Sequence, residues 1–176
     1  MNTTTAMPLE RYRDSLARIQ PQLAGANQPW LAQHRHQAAE RLGKLGFPQR
    51  RHEAWRYTSV DRLLKHDFVP AVAGELPDID IASMLVPQLD AHRAVLVNGR
   101  FVPALSSLDG LPAGVTVGSL KQKITHNPIL PTRWIGKAAG EPSHAFSALN
   151  TATMEDGLFI HVARGQQPNR PIEVLH

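Results

Sequence analysis

Nine histidines are the side chains of this sequence best suited to bind a metal ion or to transfer protons near neutral pH. A metal site requires several of them to lie close together in the fold. His34 and His36 are two positions apart, and on a helix this spacing turns their side chains about 200° away from each other. Most of the others are dispersed along the chain, at His52, His66, His92, His126, His144 and His161. The spacing therefore predicts no metal site.

Two short segments begin like catalytic motifs and then depart from them. His52 and Glu53 resemble the start of a zinc-protease helix, but Arg56 stands where the second histidine ligand is needed. Residues 136–137 resemble the end of a phosphate-binding loop, but Ala138 replaces the hydroxyl that would bind magnesium. The chain has no cysteine, which excludes a disulfide scaffold, a thiol nucleophile and a thiolate-bound metal within these residues. We therefore predict no catalytic residue and a protein that is not an enzyme.

The positive charge is concentrated in the N-terminal third of the chain. Residues 1–66 contain 11 Lys or Arg and 5 Asp or Glu, whereas the whole chain has a net charge of +4. A basic region can bind an anionic partner, so one hypothesis is a basic helical module that binds a partner such as nucleic acid. The other interpretation of the same charges is an ordinary solvated helical surface.

Length and composition favour a folded protein of one domain, or of one domain with a small appendage. The chain has 176 residues, of which 42% are hydrophobic, and this is enough to form a core. Residues 1–8 lack the features of a signal peptide. No apolar stretch approaches the roughly 18 residues that a membrane-spanning helix needs. We therefore expect a cytoplasmic protein that does not bind a membrane.

Hydrophobic periodicity predicts a helical hairpin in the N-terminal region. The first helix covers residues 8–23, with Pro8 in its first turn and Pro21 near its end. The second covers residues 29–45 and ends at a glycine, Gly46, in the usual order of a C-terminal cap. Thr58 and Asp61 resemble a capping box at the start of a further short helix. A Pro-rich, acidic connector follows, with one helical turn predicted near residues 82–85.

The period changes to that of β-strands after residue 91. Asn98 and Gly99 between two apolar runs, residues 94–97 and 100–102, predict a hairpin with a type I′ turn. Further strands are predicted at residues 115–117, 158–162 and 172–175, and helices at 119–125 and 143–153. The last helix should place Phe146, Leu149 and Thr153 on one side. Because an apolar strand directly precedes His176, we expect a larger β-structure to continue beyond it.

The segment at residues 51–58 has the sequence RHEAWRYT. It resembles the R-x-E-x-W-K/R-Y-T signature near the start of proteins of the SufD family, which belong to the SUF iron–sulfur cluster assembly system. The matching positions are Arg51, Glu53, Trp55 and Tyr57. One interpretation is that the two aromatic residues anchor the helical hairpin while Glu53 pairs with Arg50 or Arg51. The other is that the segment is a docking surface for a partner.

Other blocks extend the resemblance over about residues 45–176. Residues 97–101 resemble the hairpin of the family, and residues 146–162 contain the most specific block, with Asn150, Asp156 and Gly157. The related SufB proteins share the later strands, but the W-R-Y-T segment favours SufD.

The resemblance implies an α+β fold with three regions. A helical hairpin occupies residues 1–66, a connector residues 67–90, and an αβ region residues 91–176, leading into the first strands of a right-handed parallel β-helix. It also implies a non-enzymatic component of a SufB–SufC–SufD scaffold complex that assembles clusters and delivers iron. The implied partners are SufB-like and SufC-like proteins, the latter an ATPase, and a homodimer through the β-helix is a further option. Nucleic acid is not expected as a partner. The cluster belongs to the assembled complex, and its ligands are expected beyond His176, so no cofactor is assigned to this chain.

Overall fold

The computed structural model describes residues 3–66, 68, 69, 71, 78, 80–137, 140 and 143–176, with side chains from residue 9 onward. The architecture is α+β, as predicted. Contacts divide the chain into two compact units. The first combines Met1–Val69 with Ile129–Met154, and the second combines Pro70–Pro128 with Glu155–His176. The first unit thus includes a segment from the later half of the chain, which a division drawn along the sequence does not anticipate.

Two long helices begin the first unit. Helix α1 (Thr3–Ile19) starts before the predicted position, so the expectation that Pro8 lies in its first turn was wrong. A 3₁₀ turn at Gln20–Gln22 contains Pro21 and ends this helical stretch. Helix α2 (Pro29–Leu45) has the predicted bounds. Gly46 follows with φ of 62°, and its N–H donates to the Leu42 carbonyl at 3.0 Å, which confirms the glycine C-cap.

The core of the first unit forms where α5 (Ala145–Thr153) packs on α2. Small side chains allow this approach, because α5 presents alanines to the core at spacings of three and four. The residues predicted to share one side of α5 are half-buried, and Phe146 and Leu149 lie at the margin of the core. The buried core residues are Leu16, Ala38, Leu42, Phe47, Val60, Leu64, Ala145, Ala148 and Ala152.

A buried arginine links the helical hairpin to the end of α5. Arg35 lies on α2 and is 2% exposed. Its Nη2 donates to the carbonyls of Ala24, at 2.7 Å, and Met154, at 2.6 Å. The guanidinium therefore satisfies one carbonyl in the loop between α1 and α2 and one just after α5, and it fixes both segments relative to α2.

The second unit contains two small sheets. Strands β1 (His92–Val97) and β2 (Arg100–Phe101) are antiparallel, and Asn98 and Gly99 have φ of 50° and 76°, so the type I′ hairpin is confirmed. Strand β5 (Ile172–Leu175) pairs with β1 in parallel, with His92 opposite Ile172, which gives the order β2-β1-β5. Strands β3 (Val115–Ser119) and β4 (Leu158–Val162) form a separate antiparallel pair.

Shorter helical elements complete the described chain. Helices α3 (Leu120–His126) and α4 (Ile129–Trp134) are each about two turns long, and only α3 was predicted. The 3₁₀ turns lie at Glu53–Trp55, Leu63–Lys65, Ile81–Met84 and Pro103–Leu105. The third of them matches the helical turn predicted in the connector, whose residues 67, 70, 72–77 and 79 lie outside the described residues. No helix in the described part is long and apolar enough to span a membrane.

The predicted capping box at Thr58 and Asp61 was wrong by one residue. The Ser59 hydroxyl donates to Asp61 Oδ2 at 2.8 Å, and its oxygen accepts from the Asp61 N–H at 3.3 Å. The Ser59 hydroxyl therefore forms the local side-chain turn at this point, as serine hydroxyls commonly do.

Enlarging the buried face of α5 should destabilise the first unit. Ala148 has no exposed surface. Replacing Ala148 by Leu forces side-chain and backbone shifts that should lower the free energy of unfolding by about 1–3 kcal/mol. Urea denaturation followed by circular dichroism measures this. The control is Asn150→Leu on the exposed side of the same helix, which should change stability by less than about 0.5 kcal/mol. Equal effects of the two substitutions would contradict the observed orientation of α5.

Candidate functional site

Trp55 is the inward-facing residue of the segment at 51–58. It closes the 3₁₀ turn at Glu53–Trp55 and is half-buried. Its ring centroid lies 5.6 Å from that of Phe146 and 6.1 Å from that of His144. Trp55 therefore packs against the start of α5 at the margin of the core, as the anchoring interpretation requires for this residue.

Tyr57 points outward, although it lies only two residues further on. Its side chain is 92% exposed, and the Arg56 guanidinium carbon lies 5.7 Å from its ring centroid. Glu53 is exposed as well, and no ion pair in the described part of the chain joins it to Arg50 or Arg51. The anchoring interpretation therefore fits Trp55 and not Tyr57 or Glu53. Arg51 is exposed too.

Asp156 is the centre of a hydrogen-bond cluster in the second unit. Its Oδ2 accepts from the Phe101 N–H at 3.1 Å, and its Oδ1 accepts from the Ser119 hydroxyl at 2.8 Å and the Lys121 N–H at 2.9 Å. Ser119 also caps α3, since its oxygen accepts from the Gln122 N–H at 3.1 Å. One carboxylate thus holds β2, the end of β3 and the first turn of α3 together.

Glu155 forms the charged part of the same cluster. Its Oε2 accepts from Arg100 Nε at 3.2 Å and Nη2 at 2.5 Å, and its Oε1 accepts from Lys121 Nζ at 3.1 Å. Burial alone would raise the pKa of the Glu155 carboxyl. Hydrogen bonds from Lys121 and Arg100, with their positive charges, outweigh burial and lower this pKa below its ordinary value.

Two further predicted residues flank this cluster in the sequence. The Gly157 carbonyl accepts from the Leu120 N–H at 2.9 Å, so Gly157 supports the start of α3. Asn150 is exposed on α5 in the first unit. The structure therefore brings Asp156 and Gly157 into one cluster and places Asn150 and the segment at 51–58 in the other unit.

Glu173 holds a second cluster, at the β1–β5 pair. Its Oε1 accepts from the Val86 N–H at 2.8 Å, and its Oε2 accepts from Arg93 Nε at 3.1 Å. Arg93 and Glu173 are also direct neighbours in the parallel register. The hydrogen bond from the Val86 N–H, with a smaller contribution from Arg93, lowers the pKa of the Glu173 carboxyl below its ordinary value. Burial acts in the opposite direction.

A buried histidine, His92, lies in the next register pair of the same two strands, opposite Ile172. His92 Nε2 lies 2.7 Å from Asn169 Oδ1, and its Nδ1 lies 3.4 Å from Arg170 Nη2. Because arginine can only donate, Nδ1 is the acceptor, and Nε2–H donates to the asparagine. Arg170 also pairs with Asp90 at 2.8 Å. This geometry uses His92 as a hydrogen-bonded core residue.

Neither cluster has the arrangement of a metal centre. No group of three or more His, Asp or Glu side chains is placed to hold a metal ion among the residues that the structure describes. Each of the three central carboxylates, Glu155, Asp156 and Glu173, receives hydrogen bonds from N–H or O–H groups of the same chain. In the described structure these carboxylates hold neighbouring segments of the second unit together.

The chain is similar to proteins of one known family. The family model for the SufBD protein N-terminal region matches residues 8–174. The chain belongs to the SufBD family. It is 30% identical over 156 residues to an iron–sulfur cluster assembly SufBD family protein of Synechocystis. The aligned region covers 89% of this chain and 34% of that protein. It is also 30% identical over 141 residues to the iron–sulfur cluster assembly protein SufD of Escherichia coli. This aligned region covers 80% of this chain and 30% of SufD. The chain thus spans about a third of the length of the curated relatives it matches.

Several cluster residues of this SufBD chain were not predicted from the sequence. Ser119 could have been recognised as an N-cap, since a serine before a short helical pattern is a known signal. Arg93 and Glu173 had no such signal, because they meet only through the pairing of strands far apart in the chain. Glu155 and Arg100 likewise had no signal, because residues 55 positions apart in the chain form this ion pair.

The two aromatic residues of the SufD-like segment should differ in their effect on stability. Trp55→Ala removes a half-buried ring and should lower the free energy of unfolding by about 2–3 kcal/mol. Tyr57→Ala removes an exposed ring and should change it by less than about 0.5 kcal/mol. Urea denaturation of both variants measures the difference. A Tyr57→Ala loss as large as the Trp55→Ala loss would contradict the outward orientation of Tyr57.

The lowered pKa of Glu173 predicts an acid-sensitive contribution to stability. A carboxyl with a lower pKa in the folded than in the unfolded state stabilises the fold above the unfolded pKa, and this contribution is lost as the pH falls through the folded pKa. Unfolding free energies of the wild type should therefore fall between about pH 5 and pH 3. Glu173→Gln should be less stable at neutral pH and should show a smaller fall.

Urea denaturation at a series of pH values provides the test. The matched control is Glu53→Gln, because Glu53 is exposed and has no ion pair with a described residue. It should retain the pH profile of the wild type. The same profile for Glu173→Gln and the wild type would refute the assigned role of Glu173.

Proposed function

We propose that this chain is the N-terminal portion of a SufD-type protein that acts as a non-enzymatic component of an iron–sulfur cluster assembly complex. The observation that carries the proposal is the family match over residues 8–174, which the identity to Escherichia coli SufD supports. In this role the protein works in the cytoplasm with a SufB-like protein and a SufC-like ATPase. It contributes to cluster assembly and iron delivery.

We propose that these residues contribute part of a structural scaffold. In the second unit, β1 and β5 lie side by side in parallel although about eighty residues separate them in the sequence. Among the described strands, β5 pairs only with β1, so its other edge is free. We propose that this pair begins the right-handed parallel β-helix implied by the resemblance, and that later strands add to the free edge of β5. Most of the length of the relatives lies outside the matched region, which leaves room for such strands.

The cluster is cargo of the proposed assembly, and we assign none of its ligands to these residues. Iron–sulfur clusters are usually held by cysteine thiolates, and this chain has no cysteine. The carboxylates that the fold concentrates at Glu155, Asp156 and Glu173 already accept hydrogen bonds from the chain itself. A carboxylate in such a position would have to give up those bonds in order to bind iron, at a cost of about 1–3 kcal/mol for each buried group left unpaired.

Co-purification tests the proposed complex. The protein at its natural length is expressed together with SufB-like and SufC-like proteins of the same organism, and the mixture is separated by size-exclusion chromatography with light scattering. We expect one peak that contains all three proteins. We also expect ATP hydrolysis only in fractions that contain the SufC-like protein. Elution of the protein by itself, or ATP hydrolysis by the protein alone, would count against the proposal.

A further inference from the structure

The segment at residues 50–66 carries positive charge that the described structure does not neutralise. It contains five basic residues and two acidic ones. All five basic side chains are exposed, and none forms an ion pair with a described residue. Of the acidic residues, Asp61 already accepts from the Ser59 hydroxyl. The five basic residues are Arg50, Arg51, Arg56, Arg62 and Lys65.

Inward-facing residues hold this segment on the first unit. Val60 and Leu64 are members of the buried core, and Trp55 packs at its margin. The Leu64 N–H donates to the Val60 carbonyl at 3.0 Å, and Arg11 Nη2 donates to the Leu64 carbonyl at 2.9 Å. The backbone that carries the exposed cations is therefore fixed before any partner binds, which reduces the entropic cost of binding.

The same stretch of chain exposes large apolar side chains. Tyr57 is 92% exposed and Val69 83%, and Phe68 and Leu63 are exposed to 55% and 40%. Aromatic residues and arginine are the types most enriched in protein–protein interfaces and among their energetically dominant residues. Exposed apolar groups in the same stretch as arginines that form no ion pair with a described residue are the composition of a docking surface rather than of a simple solvated turn.

We propose that residues 50–66, 68 and 69 form a docking surface for a protein partner whose own surface is acidic around an apolar centre. Arginine presents a planar set of donors that pairs with carboxylates through two hydrogen bonds. Arg51 and Arg56 are exposed on either side of the 3₁₀ turn at Glu53–Trp55. Tyr57 and the neighbouring apolar residues supply the area that such a partner would cover. This inference goes beyond the proposed function and does not depend on which assembly the chain joins.

The side chains favour a protein over a nucleic acid as the occupant. The Glu53 carboxylate lies within the basic segment and would repel a phosphate backbone, whereas a protein partner can oppose it with a neutral or basic residue. Proteins that bind single strands stack successive bases on several aromatic rings. Here Arg56 lies over one face of the Tyr57 ring at 5.7 Å, and the Phe68 ring lies against His66 with centroids 6.1 Å apart, so these two exposed rings are partly covered. Leu63 and Val69 add apolar surface that a phosphate backbone would leave uncovered.

Binding to labelled probes tests the proposal. Fluorescence anisotropy with the full 176-residue chain compares three probes at low ionic strength. They are an amphipathic peptide with glutamates opposite leucines, the same peptide with lysines in place of the glutamates, and a single-stranded oligothymidylate. We expect the glutamate peptide to bind most tightly and its affinity to fall with added salt. Absence of binding by this peptide, or tighter binding of the oligonucleotide, would overturn the proposal.

A matched pair of variants localises the binding. The double variant Arg56→Glu, Tyr57→Ala should weaken binding of the glutamate peptide by about tenfold or more. The control is Arg133→Glu, Trp134→Ala, because Arg133 lies 5.4 Å from the ring centroid of an exposed Trp134 elsewhere in the first unit. This control should bind like the wild type. Equal losses in the two variants would show non-specific charge attraction and would overturn the proposal.

Folding of each variant is verified by circular dichroism. If Arg56→Glu, Tyr57→Ala fails to fold, the milder variant Arg51→Gln, Arg56→Gln decides the question. It keeps Tyr57 and removes two of the five cations, so it should still weaken binding relative to the Arg133 and Trp134 control. Wild-type affinity in this milder variant would overturn the proposal.

Discussion

The close approach of α5 to α2 is the contact on which the first unit depends. It is possible because Ala145, Ala148 and Ala152 are small enough to bring the two helices together. Arg35 reinforces it by donating to carbonyls on both sides of the contact. Since the start of α5 also carries Phe146, the same contact positions the ring against which Trp55 packs. The SufD-like segment is thus held in place by a helix about ninety residues further along the chain.

The second unit is stabilised differently, by carboxylates that accept backbone and side-chain hydrogen bonds. Asp156 joins β2, β3 and α3, and Glu173 joins β5 to the backbone at Val86. Such groups are worth burying only when nearly all of their acceptor positions are occupied. In this β-rich unit the carboxylates therefore act as hydrogen-bond acceptors that hold neighbouring elements together.

Within the SufD-like segment, inward and outward positions have separate consequences. Trp55 packs at the margin of the core, and Val60 and Leu64, which follow the segment, are buried in the core. Tyr57 and the arginines face solvent and remain without ion-pair partners in the described structure. Residues of one signature therefore have different surroundings, because neighbouring side chains in a turn point in different directions. The resemblance alone treats all of these positions alike.

The sequence by itself determined the local elements and the family. Helix α2, its glycine cap, the Asn98–Gly99 hairpin and strands β4 and β5 follow from periodicity and turn chemistry, which act between residues close in the chain. Tertiary structure alone decided that residues 129–154 join the N-terminal helices, that Arg93 faces Glu173, and that Tyr57 points outward while Trp55 packs. These outcomes depend on the pairing and burial of segments that are distant in sequence, and no local pattern carries that information.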